Sequence, residues 1–267
     1  AQLITSLGNA VRVSKPFIII DEFHKVFTPL AKKTIDGLNP EFILGLTATP
    51  KDGMNNLCKV TGLELKDEEM VKLDLHIIPP VGNIENDWKG MLQNLVTKRN
   101  QLEQKAIEYK QETGQYIRPI ALIQCERTGK DQRDGRFVHS EDVKQQLIDE
   151  GINPAEVAIK SSDKNDIEDI DLFSSDCQIR YIITQSALNE GWDCSFAYVL
   201  GIIPNVNSNT SVTQLIGRIL RQPRAKKTGI KDLDESYVYY AKGDTNNLLQ
   251  NVIKGFEDEG LGDLVSQ

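Results

Sequence analysis

Phe17-Ile18-Ile19-Ile20-Asp21-Glu22-Phe23-His24 is the stretch that decides the fold. A short apolar run, mostly β-branched and closed by charge, reads as a strand buried on both faces of a parallel sheet. Such sheets bind ligands in the crevice beyond the carboxyl ends of their strands. Asp21 and Glu22 fall there. An Asp in that place can hold Mg²⁺, usually through water, because Mg²⁺ prefers oxygen ligands and keeps part of its hydration shell. The adjacent Glu can orient or activate an attacking water. A second apolar run, Phe42-Ile43-Leu44-Gly45-Leu46, ends in Thr47-Ala48-Thr49-Pro50 and puts two hydroxyls at the same sheet edge.

Far downstream stands Gln214-Leu215-Ile216-Gly217-Arg218-Ile219-Leu220-Arg221. Placed on a helix, Gln214, Arg218 and Arg221 share one face. Val212, Leu215, Ile216, Ile219 and Leu220 fall on the opposite face, which makes that face the core side. Two guanidinium groups held on a rigid element suit the stabilisation of charge on a transferring phosphoryl group.

Together these stretches resemble the motor core of superfamily 2 helicases. Asp21-Glu22-Phe23-His24 looks like motif II, the Walker B element of the DExH class. Thr47-Ala48-Thr49 looks like motif III, and Gln214 to Arg221 like motif VI. Ala187-Leu188-Asn189-Glu190-Gly191-Trp192-Asp193-Cys194 looks like motif V in the form typical of type III restriction enzymes. Met70-Val71-Lys72-Leu73, Tyr116 to Gln124 and Leu220-Arg221-Gln222-Pro223 point the same way, to the ATP-dependent Res subunit of type III restriction–modification systems. The resemblance runs from Phe17 to about Tyr240. Each motif alone is a weak signal; their order, spacing and strand-end contexts carry the specificity.

The resemblance implies an α/β fold of RecA-like parallel sheets with flanking helices, the helicase core of P-loop NTPases, with the first domain incomplete. It implies ATP and Mg²⁺ as cofactors, with Asp21 and Glu22 at the metal and Glu22 positioning the hydrolytic water. His24 would meet Gln214 across the domain cleft. Thr47 and Thr49 would link motif II to domain closure. Gly191 would let the backbone approach the nucleotide, and Asp193 would bond the ribose hydroxyl. Arg218 and Arg221 would reach the γ-phosphate, Arg221 being the stronger candidate for the arginine finger. Gln124 lies at the motif IV position. The implied partners are double-stranded DNA and the modification (methyltransferase) subunit of a restriction complex.

Composition sets limits. A chain of 267 residues suits one large or two modest domains. Cys58, Cys125, Cys177 and Cys194 form no C-x-x-C pair and have no His at ligand spacing, so a zinc site or disulfide framework is not expected and a reducing cytoplasm is. No apolar run approaches membrane length. A net charge of −8 argues against a generic nucleic-acid coat, so DNA contact must come from local patches. Arg218, Arg221, Arg224, Lys226, Lys227 and Lys231 form one basic run, and Arg127, Lys130, Arg133 and Arg136 a second.

No G-x-x-x-x-G-K-[ST] loop occurs. In the family that loop lies upstream of motif II, and Asp21 stands too near the start of this chain to follow it. The expectation is therefore a fragment that starts midway through the first RecA-like domain, with residues 1–76 completing that domain and 77–267 forming the second. Within this frame a helix is expected around Val26 to Leu38, a connection from Gly62 to Asn86 with a short strand near Val71 to Ile78, and a long amphipathic helix from Asp87 to Glu112. A further helix is expected to be capped by Ser140. Core strands are expected at Pro119 to Cys125, Val157 to Ile159, Arg180 to Thr184, Ala197 to Ile203 and Tyr237 to Ala241, and a final helix from Thr245 to Phe256. Two functional classes stay open: part of a DNA-dependent ATPase that drives translocation, or a nucleic-acid- or protein-binding module without turnover. A repair or RNA helicase of the same superfamily is the nearer rival to the restriction enzyme.

Overall fold

The computed structural model describes residues 6–47, 50, 54–80, 87–126, 137–161, 164–185, 194–204, 210–258 and 260–264, the side chains of 210–214 and 258 excepted. Two parallel sheets organise it. In the first, β1 (Phe17–Ile20) pairs with β2 (Phe42–Gly45), Phe17 opposite Phe42 and Ile20 opposite Gly45. A crossover joins them: a 3₁₀ turn over Phe23–Phe27, then α2 (Pro29–Gly37). The single helix expected over Val26 to Leu38 is split because Thr28 is extended and caps α2 from outside, its Oγ1 accepting from Ala31 N–H, with Pro29 at the first helical position. The helix α1 (Leu7–Ser14) precedes β1. Among the described residues, Gly62 is the first that is buried. The burial expected of Phe17–Ile20 is therefore corrected: the strand forms and pairs in parallel, but Phe17 and Ile19 are 59% and 61% exposed, since a two-stranded sheet leaves them uncovered.

The second sheet has six strands in the order β3-β8-β7-β4-β6-β5, all parallel: β3 (Leu75–Ile78), β4 (Ile120–Gln124), β5 (Val157–Lys160), β6 (Tyr181–Thr184), β7 (Ala197–Ile202) and β8 (Ser236–Tyr240). Every residue of β4, β6, β7 and β8 is buried. That is the two-sided cover a parallel sheet requires, and it explains the unbroken apolar runs in the sequence. The strand expected near Val71 to Ile78 is shorter, since Val71 makes a separate bridge, and the boundary expected after residue 76 falls inside β3.

The long helix is α4 (Trp88–Thr113). Asp87 caps it by accepting from Gly90 N–H, and Gly114 ends it in the left-handed region at φ 75°. Met91, Leu92, Leu95, Leu102, Ala106 and Tyr109 form its buried face. It packs on β7, where Gly201 makes room: a Cβ there would stand 2.6 Å from Leu95 Cδ1. Two details depart from the sequence reading. The connection after Gly62 contains a helix, α3 (Gly62–Asp67), fixed by a capping box between Thr61 and Glu64. The helix α5 (Ser140–Asp149) is capped by His139, whose Nδ1 accepts from Glu141 N–H, and Ser140 is its first residue. The last two helices are α6 (Thr210–Ile219), on β7, and α7 (Thr245–Asp258), on α6.

Buried charge is satisfied by backbone carbonyls. Arg118, wholly buried, donates to Ile179, Ser174, Cys177 and Leu172 carbonyls and to the Tyr116 hydroxyl. Arg99, inside the α4 face, donates to Pro119 O and Glu103, and burial brings its guanidinium down to about 10.

Candidate active site

At the carboxyl end of β1 the chain turns sharply. Leu46 N–H donates to Ile20 O at 2.8 Å and Phe23 N–H to Leu46 O at 2.9 Å, so the segment after β1 is sewn to the end of β2. Between them Glu22 adopts a left-handed conformation, φ 51° and ψ 45°, which is uncommon for a non-glycine residue. Its N–H donates to Asp21 Oδ1 at 2.8 Å, the local bond that makes this turn tolerable. Gly45 is required opposite it, because a Cβ there would overlap the Phe23 ring.

Three of the side chains expected at the site meet at this turn. His24 Nδ1 lies 2.9 Å from Thr47 Oγ1 and 3.2 Å from Glu22 Oε2. The Glu22 side chain is half exposed and Asp21 is exposed. Two adjacent carboxylates open to water at a strand end are a donor set that suits Mg²⁺ when phosphate and water oxygens complete its shell. Among the described residues no group of three or more His, Cys, Asp or Glu is arranged to hold a metal by itself.

The basic half departs from the helical reading in one respect. α6 ends at Ile219, so Arg218 lies in its last turn, half-buried, whereas Arg221 lies beyond the helix. Arg221 is exposed and sits in an extended segment, bridged antiparallel to Val71. The expected single face of Gln214, Arg218 and Arg221 is corrected accordingly. Pro223 disfavours helical backbone in the residue before it, and residues 70–72 capture the backbone of 220–222 instead. The core side is as patterned: Leu215, Ile216, Ile219 and Leu220 are all buried.

The structure thus brings Asp21, Glu22, His24 and Thr47 together and sets Arg218 and Arg221 on either side of the end of α6. Thr49, Gly191, Asp193 and the Gln214 side chain lie outside what it describes. Gln124 is buried at the end of β4. Beside it, Glu126 accepts from Val138 N–H at 2.6 Å and from Lys242 Nζ at 2.8 Å. The sequence does not single out Glu126, and Lys72 enters it only within Met70-Val71-Lys72-Leu73, with no role of its own.

Residues 6–52 match the family model of the type III restriction enzyme Res subunit. Comparison with curated proteins gives no match. Among solved structures, the ATP-dependent Type ISP restriction-modification enzyme LlaBIII bound to DNA is similar in fold, with a TM-score of 0.51 and 12% identity over 94% of this chain and 21% of that one. S. cerevisiae Dbp5 bound to RNA and ADP BeF3 aligns with a TM-score of 0.42 and 14% identity over 91% of this chain and 57% of that one. The chain spans about a fifth of the restriction enzyme's length. The family match covers β1, β2 and the crossover between them, and the fold of the chain is similar to part of the restriction-modification enzyme.

Proposed function

We propose that the chain is part of the motor core of an ATP-dependent enzyme acting on double-stranded DNA, of the kind found in type III restriction complexes with a methyltransferase partner. Asp21 and Glu22 would hold Mg²⁺, which would supply neutralisation of phosphate charge, and Glu22 would orient the attacking water. Arg218 and Arg221 reach the transferred phosphoryl group, Arg221 as the arginine finger. Thr49, Gly191 and Asp193 complete the nucleotide contacts, and Gln214 meets His24. The observation that carries this reading is the junction of Glu22, His24 and Thr47 at the paired ends of β1 and β2, since it ties a water-orienting carboxylate to the neighbouring strand. We draw the division between the two units before Gly62 rather than after residue 76, because burial starts there and β3 belongs to the larger sheet.

A second reading, a nucleic-acid-binding module without turnover, is favoured by the lack of a G-x-x-x-x-G-K-[ST] loop in these 267 residues. One pair of measurements separates the two. MgATP binding by calorimetry and ATP hydrolysis with and without double-stranded DNA are followed in the chain, in Glu22→Gln and in Arg221→Ala. The motor reading expects MgATP binding that both substitutions weaken, with little turnover. Binding of DNA without any response to MgATP would overturn it in favour of the module.

A further inference from the structure

The connection from the first unit into the second crosses the end of α6. Met70, Val71 and Lys72 run antiparallel to Leu220, Arg221 and Gln222. Lys72 N–H donates to Leu220 O at 2.6 Å, Gln222 N–H donates to Met70 O at 2.9 Å, and Val71 stands opposite Arg221. The Lys72 side chain extends this pairing to a second place. It is wholly buried, its Nζ donates to Ser195 O at 3.0 Å and Ala197 O at 2.6 Å, and it lies 3.8 Å from the centre of the Tyr198 ring. Ser195 stands just before β7 and Ala197 opens it, directly after the segment that ends in Asp193 and Cys194. Burying an ammonium is costly unless acceptors surround it, and an aliphatic residue would fill the space without that cost. A lysine here makes sense as a cross-link between backbone segments.

The other side of Arg221 is fixed as well. Gln222 is buried, and its Nε2 donates to Asp234 Oδ1 at 2.8 Å. The same carboxylate accepts from Thr228 N–H and Gly229 N–H. Arg221 is therefore held by backbone pairing to one anchored residue and by the chain to another, while its own residue stays exposed.

We propose that Lys72 is a positioning residue for Arg221. It ties the connecting segment to the start of β7, and through the paired backbone it fixes the direction in which Arg221 presents its guanidinium. Displacement of the connection between the units and displacement of Arg221 are then one event. The idea rests on the proposed role of Arg221 at the nucleotide only for its functional consequence.

The test uses amide hydrogen exchange and MgATP binding on the whole chain, Lys72→Met, Arg221→Ala and the double variant. In the wild-type chain the amides of Lys72 and Gln222 should exchange with the protection of sheet amides such as Leu122 and Ile183. In Lys72→Met the amides of residues 72 and 222 should exchange faster by about tenfold or more, with Leu122 and Ile183 unchanged, which separates local release from general destabilisation. Lys72→Met should lose as much MgATP affinity as Arg221→Ala, and the double variant no more than either. Loop-like exchange of Lys72 and Gln222 in the wild type, or unchanged exchange at 222 in Lys72→Met, overturns the positioning role. If Arg221→Ala binds MgATP as the wild type does, the functional reading of Arg221 fails while the exchange data still decide the strap.

Discussion

His24 Nδ1 stands 2.9 Å from Thr47 Oγ1, and this one side-chain contact closes the carboxyl ends of β1 and β2. The same nitrogen is 3.2 Å from Glu22 Oε2, so a single ring atom connects a hydroxyl on one strand end to a carboxylate on the other. Thr47→Val keeps the shape and removes the hydroxyl, which leaves His24 with Glu22. A half-buried contact of this kind contributes about 0.5–1.5 kcal/mol, too little to unfold the chain. The expected result is a several-fold loss of MgATP affinity with the melting temperature nearly unchanged. Unaltered affinity would remove Thr47 from the site.

Gly45 serves the same junction by steric absence. A methyl group there overlaps the Phe23 ring, and Phe23 N–H is bonded to Leu46 O. Gly45→Ala should push the ring aside and carry Glu22 and His24 with it, at a cost of about 1–3 kcal/mol for overpacking. Faster exchange of the Phe23 amide, with β4 amides unaffected, is the signature. A Phe23 amide as protected as in the wild type would show that the ring moves freely without the turn.

Much of this architecture is legible in the sequence because it is local. The apolar runs at Ile120–Gln124 and Tyr181–Thr184 announce buried parallel strands, and the apolar spacing from Leu92 to Tyr109 announces α4. Phe17–Ile20 announces a parallel strand too, but not a buried one, because Phe17 and Ile19 stay exposed. What the sequence hides depends on distant backbone. Arg221 leaves its helix because residues 70–72 pair with it across some 150 positions. Lys72 and Arg118 are buried because their acceptors are main-chain carbonyls, which no side-chain pattern records. α3 is a different omission: Thr61 and Glu64 form a capping box whose spacing is readable in the sequence.

Arg118 gives the largest expected stability effect. Four carbonyl groups and the Tyr116 hydroxyl converge on its guanidinium, and the side chain is wholly buried. Arg118→Ala strands those carbonyls and should cost about 3–5 kcal/mol. Arg118→Lys should recover only part, because an ammonium lacks the planar fork that spans these acceptors. Urea denaturation measures both. A loss below about 1 kcal/mol in Arg118→Ala would mean that water replaces the guanidinium at little cost.

Cysteine chemistry should divide by depth. Burial pushes the Cys125 thiol up to about 12, and its Sγ lies 3.4 Å from Thr184 O. At pH 8 that leaves a thiolate fraction of roughly one in ten thousand, inside a closed core. Cys194 is equally buried, while Cys58 is exposed. Iodoacetamide should label Cys58 on the native chain within minutes and leave Cys125 and Cys194 intact until denaturant is added. Labelling of Cys125 at the rate of Cys58 would place β4 outside the core.

Acid should weaken the contact between α4 and the turn before β8. Lys98 Nζ donates to Asp232 Oδ1 at 2.9 Å, and this bond, against a smaller opposing effect of burial, holds the carboxyl below its ordinary value of 3.8. A carboxylate whose folded pKa is depressed adds stability that is present in full above the unfolded value. That stability is lost as the pH falls through the folded one. The window therefore lies below pH 3.8, and the effect is small because the carboxylate is nearly half exposed. Lys98 also lies 3.9 Å from the centre of the Tyr237 ring, whose hydroxyl is within 3.4 Å of Asp232 and 3.3 Å of Glu235. Burial, with those two carboxylates, raises the phenol. In Lys98→Met the Asp232 carboxyl, followed by carbon NMR, should titrate closer to 3.8. Added salt should shift the wild type in the same direction by screening. Identical titration midpoints in the two proteins would assign the lowered value to another group.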